Sequence, residues 1–449
     1  MAILGAFCFP GTGHLNPMTA LARRLQQRGH RVILFGIADT AARVRAAGIE
    51  FVQVGAADYP MGTLRQLDEK LSRLKGLNTF RFTVDRVKNH SRMVLRDGPD
   101  AVKAAGVGAM VVDEADMAGS VAEHLGLPFV SVACFPPLLA DDTIPPFCFG
   151  WGYRTDAIGR LRNRLGARLL TRVAKPIFED VNAQRKVWGL TPLGHSTDAL
   201  SKLAQITQLP EALEFPMPNR PSWLHYTGPF VDSQVREPVE FPWEQLDGRP
   251  LVYGSMGTLQ NGSERIFRMI AEACVGLDAQ LVLSLGGSKD PAELGELPGK
   301  PVVVRYAPQL ELVKRAAAVV THAGLNTTLE TLAEGVPLVA IPLGNDQPGV
   351  AARIAHRRAG IVVPQWRLGV GRLRGAIDAV LRQGSYRSAA KQVQAAMQKV
   401  DGLERAADLI ESALGLRRQG DPARKRSERC LWRKEERDQA SEVAGTLYP

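Results

Sequence analysis

The stretch FPGTGHLNPM sets His14 at a glycine-rich corner directly after an apolar run. Imidazole titrates near pH 6.5, so a histidine there can accept a proton from a substrate close to neutrality. Gly11 and Gly13 let the backbone turn sharply and lie against a ligand, but the same glycines suit an ordinary strand-to-helix corner. The stretch alone leaves both readings open.

A second group of chemistry-bearing residues lies in YAPQLELVKRAAAVVTHAGLNTTLETLAEGVPLVAIPLGNDQ, residues 306–347. An apolar strand ends at His322, and a helix opens after Gly324 with Asn326 and Thr327 in its first turn. A helix N-terminus presents free N–H groups and the positive end of the helix dipole, which makes it an anion site. With donors from His322, Asn326 and Thr327 added, a diphosphate is the natural guest. Glu330, a turn further on, can accept hydrogen bonds from both hydroxyls of a ribose, and Tyr306 offers a flat face to a base. Asp346 and Gln347, after the next strand, can reach whatever the diphosphate carries. Each residue alone reads as ordinary surface or core. In chain order they read as recognisers of base, ribose, diphosphate and sugar.

Strand ends must hold such residues. AILGAFCF, RVILFGI, FVQV, AMVVD and PFVSVAC alternate with helical patterns, and after an irregular region at 135–225 the alternation resumes through PLVYGSM, AQLVLSL, PVVVRY, AAVVTHAG, PLVAIPLG and GIVVP. This predicts an α/β chain with parallel sheets flanked by helices. The expected division is one Rossmann-like domain over 1–228, a linker rich in Pro, Glu and Asp over 229–249, a second Rossmann-like domain over 250–415, and a basic tail over 416–449 without apolar periodicity, expected to be disordered. Two open sheets facing a central cleft take their ligand at the carboxyl ends of the strands.

The bulk properties narrow the class. The 449 residues are 45% hydrophobic and 23% charged, enough to bury sizeable cores in an ordinary globular protein. No apolar run reaches the roughly 18 residues a membrane span needs, and MAILGAFCF reads as a first strand rather than a signal peptide, so a cytoplasmic location is expected. Five cysteines, scattered and never spaced as CxxC, argue against a disulfide framework and a structural zinc site. The net charge of +10 is concentrated at 151–187, with nine Lys and Arg against three acids. No nucleic-acid-binding motif accompanies it, so nucleic acid is not expected as a partner. Within this region DAIGRLRNRLGARLLTRVAKPIF spaces apolar residues helically between arginines, which suits a solvated helix or one in peripheral contact with the inner membrane face.

The 306–347 segment resembles the nucleotide-sugar signature of the UDP-glycosyltransferase family, and GTGHLNP with VVDEADMAGSVAEHLGLPFV resembles that family's acceptor domain. The likeness covers roughly residues 1–415, and DDTIPPFCFGWGYRTDAIGRLRNRLG points to its bacterial, carotenoid-glucosylating branch. The resemblance implies the two-Rossmann GT-B fold and an inverting transfer of a sugar, glucose by preference, from a UDP-sugar to a hydroxyl of a hydrophobic acceptor such as a carotenoid, terpenoid, polyketide or phenolic. It implies that His14 deprotonates the acceptor, oriented by Asp113, with Asp116 as the rival partner. It also implies that His322, Gly324, Asn326, Thr327 and Ser255 surround the diphosphate and Glu330 binds ribose. Tyr306 and Gln309 would meet uracil, Asp346 and Gln347 would hold the sugar, and no metal or other cofactor would be needed. Two positions depart from the plant form of the signature, Tyr306 for a tryptophan and Leu325 for another, and both bear on base preference. A ribose-binding Glu330 favours UDP over dTDP, whose sugar lacks the 2′-hydroxyl.

Two other classes compete. A nicotinamide or flavin oxidoreductase is suggested by Gly11-Thr-Gly13 and by Asp39 after the second strand, but Asn16 occupies the sixth position of the glycine fingerprint. A nucleotide-sugar epimerase or a non-catalytic UDP-sugar-binding protein shares the architecture, since fold does not fix function.

Overall fold

The computed structural model describes residues 1–416 apart from 75–76, 140, 237, 258–263 and 288–289, so the expected tail lies outside the described residues from 417 onward. The apolar runs form two all-parallel sheets. The first is built from β1 (Ile3–Phe7), β2 (Arg31–Gly36), β3 (Glu50–Gln53), β4 (Ala109–Asp113), β5 (Phe129–Ala133), β6 (Gln205–Thr207) and β7 (Leu224–Tyr226), in the order β3-β2-β1-β4-β5-β6-β7. The second contains β8 (Leu251–Ser255), β9 (Gln280–Ser284), β10 (Val302–Val304), β11 (Ala316–Thr321), β12 (Leu338–Ala340) and β13 (Gly360–Val362), in the order β10-β9-β8-β11-β12-β13. β4 (AMVVD) and β5 (FVSVA) are buried at every residue, as strands covered by helices on both faces must be.

Each sheet runs outward in one direction from β1 or β8 and in the other from β4 or β11. The connections therefore part between those central strands and leave a crevice at their carboxyl ends. His14 and Asp113 lie at one crevice, Ser255 and His322 at the other.

The halves meet through an apolar seam. Leu209, Leu213, Leu224 and Tyr226 pack with Leu325, Leu329, Val350 and Ile354. Arg353 crosses the same seam to hold Glu214 bidentately, Nε to Oε1 at 2.7 Å and Nη2 to Oε2 at 3.1 Å, with both side chains buried. Removing either partner would leave an uncompensated buried charge, so the pair favours the one docking geometry that satisfies both.

The last described helix, Gly402–Ala413, follows the second sheet in sequence but packs on the first domain. Leu403, Ala406, Ala407 and Ile410 join the core that holds Leu15, Leu21 and Leu25 of the Thr12–Gln27 helix. Arg28 adds bonds to Asp408 (2.8 Å) and Glu411 (3.0 Å), and His30 pairs with Glu411 at 3.0 Å. At its start the backbone of Gly402 lies against that of Gly228, where a Cβ would fall 2.7 Å from the Gly228 carbonyl carbon, so a larger residue is excluded. Chain order puts this helix with the second half, and packing puts it with the first. Among the described residues no helix is long and apolar enough to cross a membrane.

Candidate active site

At the first crevice the glycine-rich corner is already helical. The helix runs from Thr12, so His14 sits in its first turn and not in a loop before it. Asp113, at the end of β4 and fully buried, brings Oδ2 within 2.6 Å of His14 Nδ1. The carboxylate also accepts the N–H of Phe9 (3.2 Å) and of Ala115 (3.3 Å), which fixes its orientation. The rings of Phe9 and Phe135 stand edge-on to the imidazole at 5.7 and 5.8 Å. Burial works against a charged imidazolium there, but the charge and hydrogen bond of Asp113, with Asp346 and Asp116 further away, outweigh it and hold the His14 pKa above its ordinary value. Among the described residues no side chain bonds Nε2.

Asp116 is committed elsewhere. It accepts the Ala118 N–H at 2.8 Å at the start of the Ala118–Leu125 helix and lies 2.7 Å from Nε2 of buried His90. Asp39 likewise serves the backbone, accepting the Gly62 N–H at 2.9 Å.

The second crevice is built differently. His322 follows β11, and its ring is held between two glycines. A Cβ at Gly257 would fall 2.6 Å from the ring, and one at Gly324 would fall 2.4 Å from Nε2. Burial pushes the His322 pKa down to about 4, against a smaller opposing bond to the Ser255 backbone, so the ring is neutral at physiological pH. Gly324 caps the Leu325–Ala333 helix without a side chain, leaving its first-turn amides open. Ala323 and Asn345 both take left-handed backbone angles, φ 66° and 54°. For residues with a Cβ that conformation carries strain, concentrated here at the two loops bordering the crevice.

Glu330, buried in that helix, is already bonded on both oxygens. Gln309 Nε2 donates to Oε2 at 2.5 Å, and Arg236, from the linker, pairs with Oε1. Gln309 is held in turn by Tyr253, whose hydroxyl donates to Oε1 at 3.1 Å, and reaches Thr327 Oγ1 at 3.3 Å. Tyr306 stands half-exposed at the rim, its ring against Gly287. Gln347 accepts the Leu343 and Gly344 N–H groups at 2.7 and 3.1 Å, so its carbonyl oxygen shapes the loop that carries Asp346. Burial raises the Asp346 pKa to about 6, while the charges of His14 and Arg353 pull it back down.

Both crevices open into one cavity of about 930 Å³. Asn326 spans it. Its Oδ1 accepts from Gln208 at 2.9 Å, and its Nδ2 donates to the Gly13 carbonyl at 3.0 Å. That carbonyl is available because Pro17, four residues on, has no N–H to give it. Away from these polar groups the cavity wall is apolar, with Phe135, Leu138, Phe147, Leu170, Ile177 and Phe178.

His14, Asp113 and Cys134 bring ligand atoms within 4.8 Å of one another, the one such grouping among the described residues. It suits a metal poorly. Burial, reinforced by Asp113, pushes the Cys134 thiol well up, and Asp113 is engaged with the imidazole.

Comparison with known proteins decides the family. Residues 195–432 match the family described as UDP-glucoronosyl and UDP-glucosyl transferase, and residues 9–140 match the glycosyltransferase family 28 N-terminal domain. The chain belongs to the UDP-glycosyltransferase family. It is 30% identical over 413 residues to the zeaxanthin glucosyltransferase of Pseudescherichia vulneris, covering 90% of this chain and 96% of that one. To the zeaxanthin glucosyltransferase of Pantoea ananas it is 28% identical over 417 residues, covering 92% and 96%. Among solved structures, the glycosyltransferase of kitacinnamycin superposes with a TM-score of 0.71 at 22% identity (92% of this chain, 99% of that one), and the calicheamicin glycosyltransferase with 0.69 at 21% (92% and 98%). The fold is GT-B, and the UDP-glycosyltransferase moves a sugar from a nucleotide sugar to an acceptor.

In this UDP-glycosyltransferase His14, Ser255, Tyr306, Gln309, His322, Gly324, Asn326, Thr327, Glu330, Asp346 and Gln347 line the cavity, Asp113 is buried behind His14, and Asp116 and Asp39 lie away from it. Three participants were not anticipated: Arg236 on Glu330, Gln208 on Asn326, and the buried carboxyl of Glu114 beside Asp113. Burial raises the Glu114 pKa to about 8, against the bonds it accepts from Leu138 and Gln205. Glu114 was readable as a neighbour in VVDEAD; nothing in the sequence marked the contacts of the other two.

Proposed function

We propose that the enzyme transfers glucose from UDP-glucose to a hydroxyl of a hydrophobic acceptor with inversion at the anomeric carbon. The hydrogen bond between His14 Nδ1 and Asp113 carries this reading. With Nδ1–H donated to the carboxylate, Nε2 keeps its lone pair and faces the cavity. Nε2 takes the acceptor hydroxyl's proton as the oxygen attacks the anomeric carbon. The bond from that carbon to the diphosphate breaks, and UDP leaves with the electron pair. Asp113 fixes the tautomer and stabilises the imidazolium as it forms.

The departing diphosphate meets the open amides at the start of the Leu325–Ala333 helix with Ser255, His322, Asn326 and Thr327 around them, so no metal ion is required. Glu330 takes the ribose hydroxyls in exchange for its present partners, Tyr306 and Gln309 meet uracil, and Asp346 and Gln347 hold the sugar. The apolar wall from Phe135 to Phe178 suits a carotenoid-like or other water-insoluble alcohol, in keeping with the names of the two relatives. Such acceptors dissolve in bilayers, so the enzyme is proposed to work at a membrane surface.

The test is UDP release from UDP-glucose with a panel of hydrophobic and phenolic alcohols. Release that depends on a hydroxylated hydrophobic acceptor supports the reading. Release that is indifferent to the acceptor overturns it.

A further inference from the structure

The long helix Ala157–Val187 has two apolar faces. One lines the cavity through Leu170, Ala174, Ile177 and Phe178. Round the helix from it, Ile158, Leu161, Leu165 and Leu169 recur at spacings of three and four and form a single stripe. These four side chains are 66, 55, 54 and 54% exposed. Scattered exposed apolar residues are normal, but an aligned row over three turns is not explained by the fold. Arg168 and Arg172 lie beside and within the stripe, and neither forms an ion pair among the described residues.

We infer that this stripe is the surface by which the enzyme lies on an anionic lipid bilayer, with the helix serving as the wall between the lipid and the acceptor cavity. Charge complementarity selects the occupant. Anionic headgroups attract the arginines while the leucines enter the headgroup–acyl boundary. A second copy docked by a two-fold axis would instead set Arg168 and Arg172 against themselves. The inference rests on the hydrophobic-acceptor reading and extends it, because the face turned to lipid and the face lining the cavity belong to one helix.

The experiment is flotation with vesicles of phosphatidylglycerol and phosphatidylethanolamine, against phosphatidylcholine alone, paired with turnover of a vesicle-dissolved long-chain alcohol and of a water-soluble phenol. Wild type should float with the anionic vesicles only. The combined Leu161→Gln, Leu165→Gln, Leu169→Gln variant, unchanged in thermal midpoint because those sites are exposed, should lose about tenfold in vesicle partitioning and in turnover of the dissolved alcohol. Its turnover of the phenol should stay within about twofold of wild type. Arg168→Glu with Arg172→Glu should weaken partitioning and reduce its dependence on salt. Wild type that ignores anionic vesicles, or a triple variant that floats as well as wild type, overturns the inference. So does wild type that forms dimers which the triple variant does not. If flotation behaves as expected while neither acceptor is glycosylated, the lipid face stands and the acceptor reading falls.

Discussion

The two crevices use one topology to place a histidine just beyond a central strand, beside glycine, and then treat it in opposite ways. His14 receives a buried carboxylate on Nδ1 and its pKa rises. His322 receives burial, a threonine hydroxyl at 3.2 Å and two glycines against its ring, and its pKa falls to about 4. In the proposed reaction the same side chain would serve as a proton acceptor on one side and a neutral donor on the other, and the difference lies in whether a charge stands behind the ring. Position in the fold selects where chemistry occurs; the second layer of residues selects which chemistry.

The comparison breaks most readily at His14. His14→Ala should lower kcat/KM by about 10²–10⁴-fold while leaving the Kd for UDP within about twofold, since donor and base lie on different domains; steady-state rates and calorimetric titration with UDP read the two quantities. Glu330→Ala should do the reverse. UDP affinity falls by about 10–100-fold through lost bonds to a charged acceptor, and wild type's preference for UDP over 2′-deoxy-UDP disappears.

A pH profile sharpens the contrast. His14 must be neutral to accept a proton, and its pKa lies above 6.5, so kcat/KM should fall with decreasing pH along a limb centred above that value. Asp113→Asn removes the adjacent carboxylate charge, leaving burial to lower the pKa against only the more distant Asp346 and Asp116. The limb should move to lower pH even as the plateau rate drops by about 10²-fold or more. A limb that stays in place would assign it to another group. The smallest effect is expected at the other histidine: His322→Gln should weaken UDP by about 2–10-fold and leave the limb where it was, because His322 titrates near 4.

Much of this was legible before any coordinates. Apolar strands alternating with glycine-stopped helices announced two parallel sheets, and residues at strand ends announced the site, because parallel sheets have few other places for polar side chains. His14 and Asp113 were paired through the resemblance of GTGHLNP to the family's acceptor loop, which implies a histidine base with an orienting aspartate. What could not be read were contacts with no local signature. Arg236 meets Glu330 across 94 residues, and Asn326 meets Gly13 across 313. The second depends on an absent N–H at Pro17, which a sequence reader takes for part of a motif and not as the release of a carbonyl. The apolar stripe on Ala157–Val187 was visible as a periodicity, but which of its two apolar faces met solvent required the packing.

The return of Gly402–Ala413 to the first domain bears on how the chain is made. The apolar side of Thr12–Gln27 is completed by residues that leave the ribosome only after the whole second sheet, and Arg28 waits 380 residues for Asp408. Vectorial synthesis therefore cannot finish the first domain before the second, and the loop to be closed contains the entire second sheet. Closure over such a separation is slow relative to local helix formation. During elongation that face of Thr12–Gln27 remains the nascent chain's exposed apolar surface, and it is there that chaperone holding or aggregation should begin.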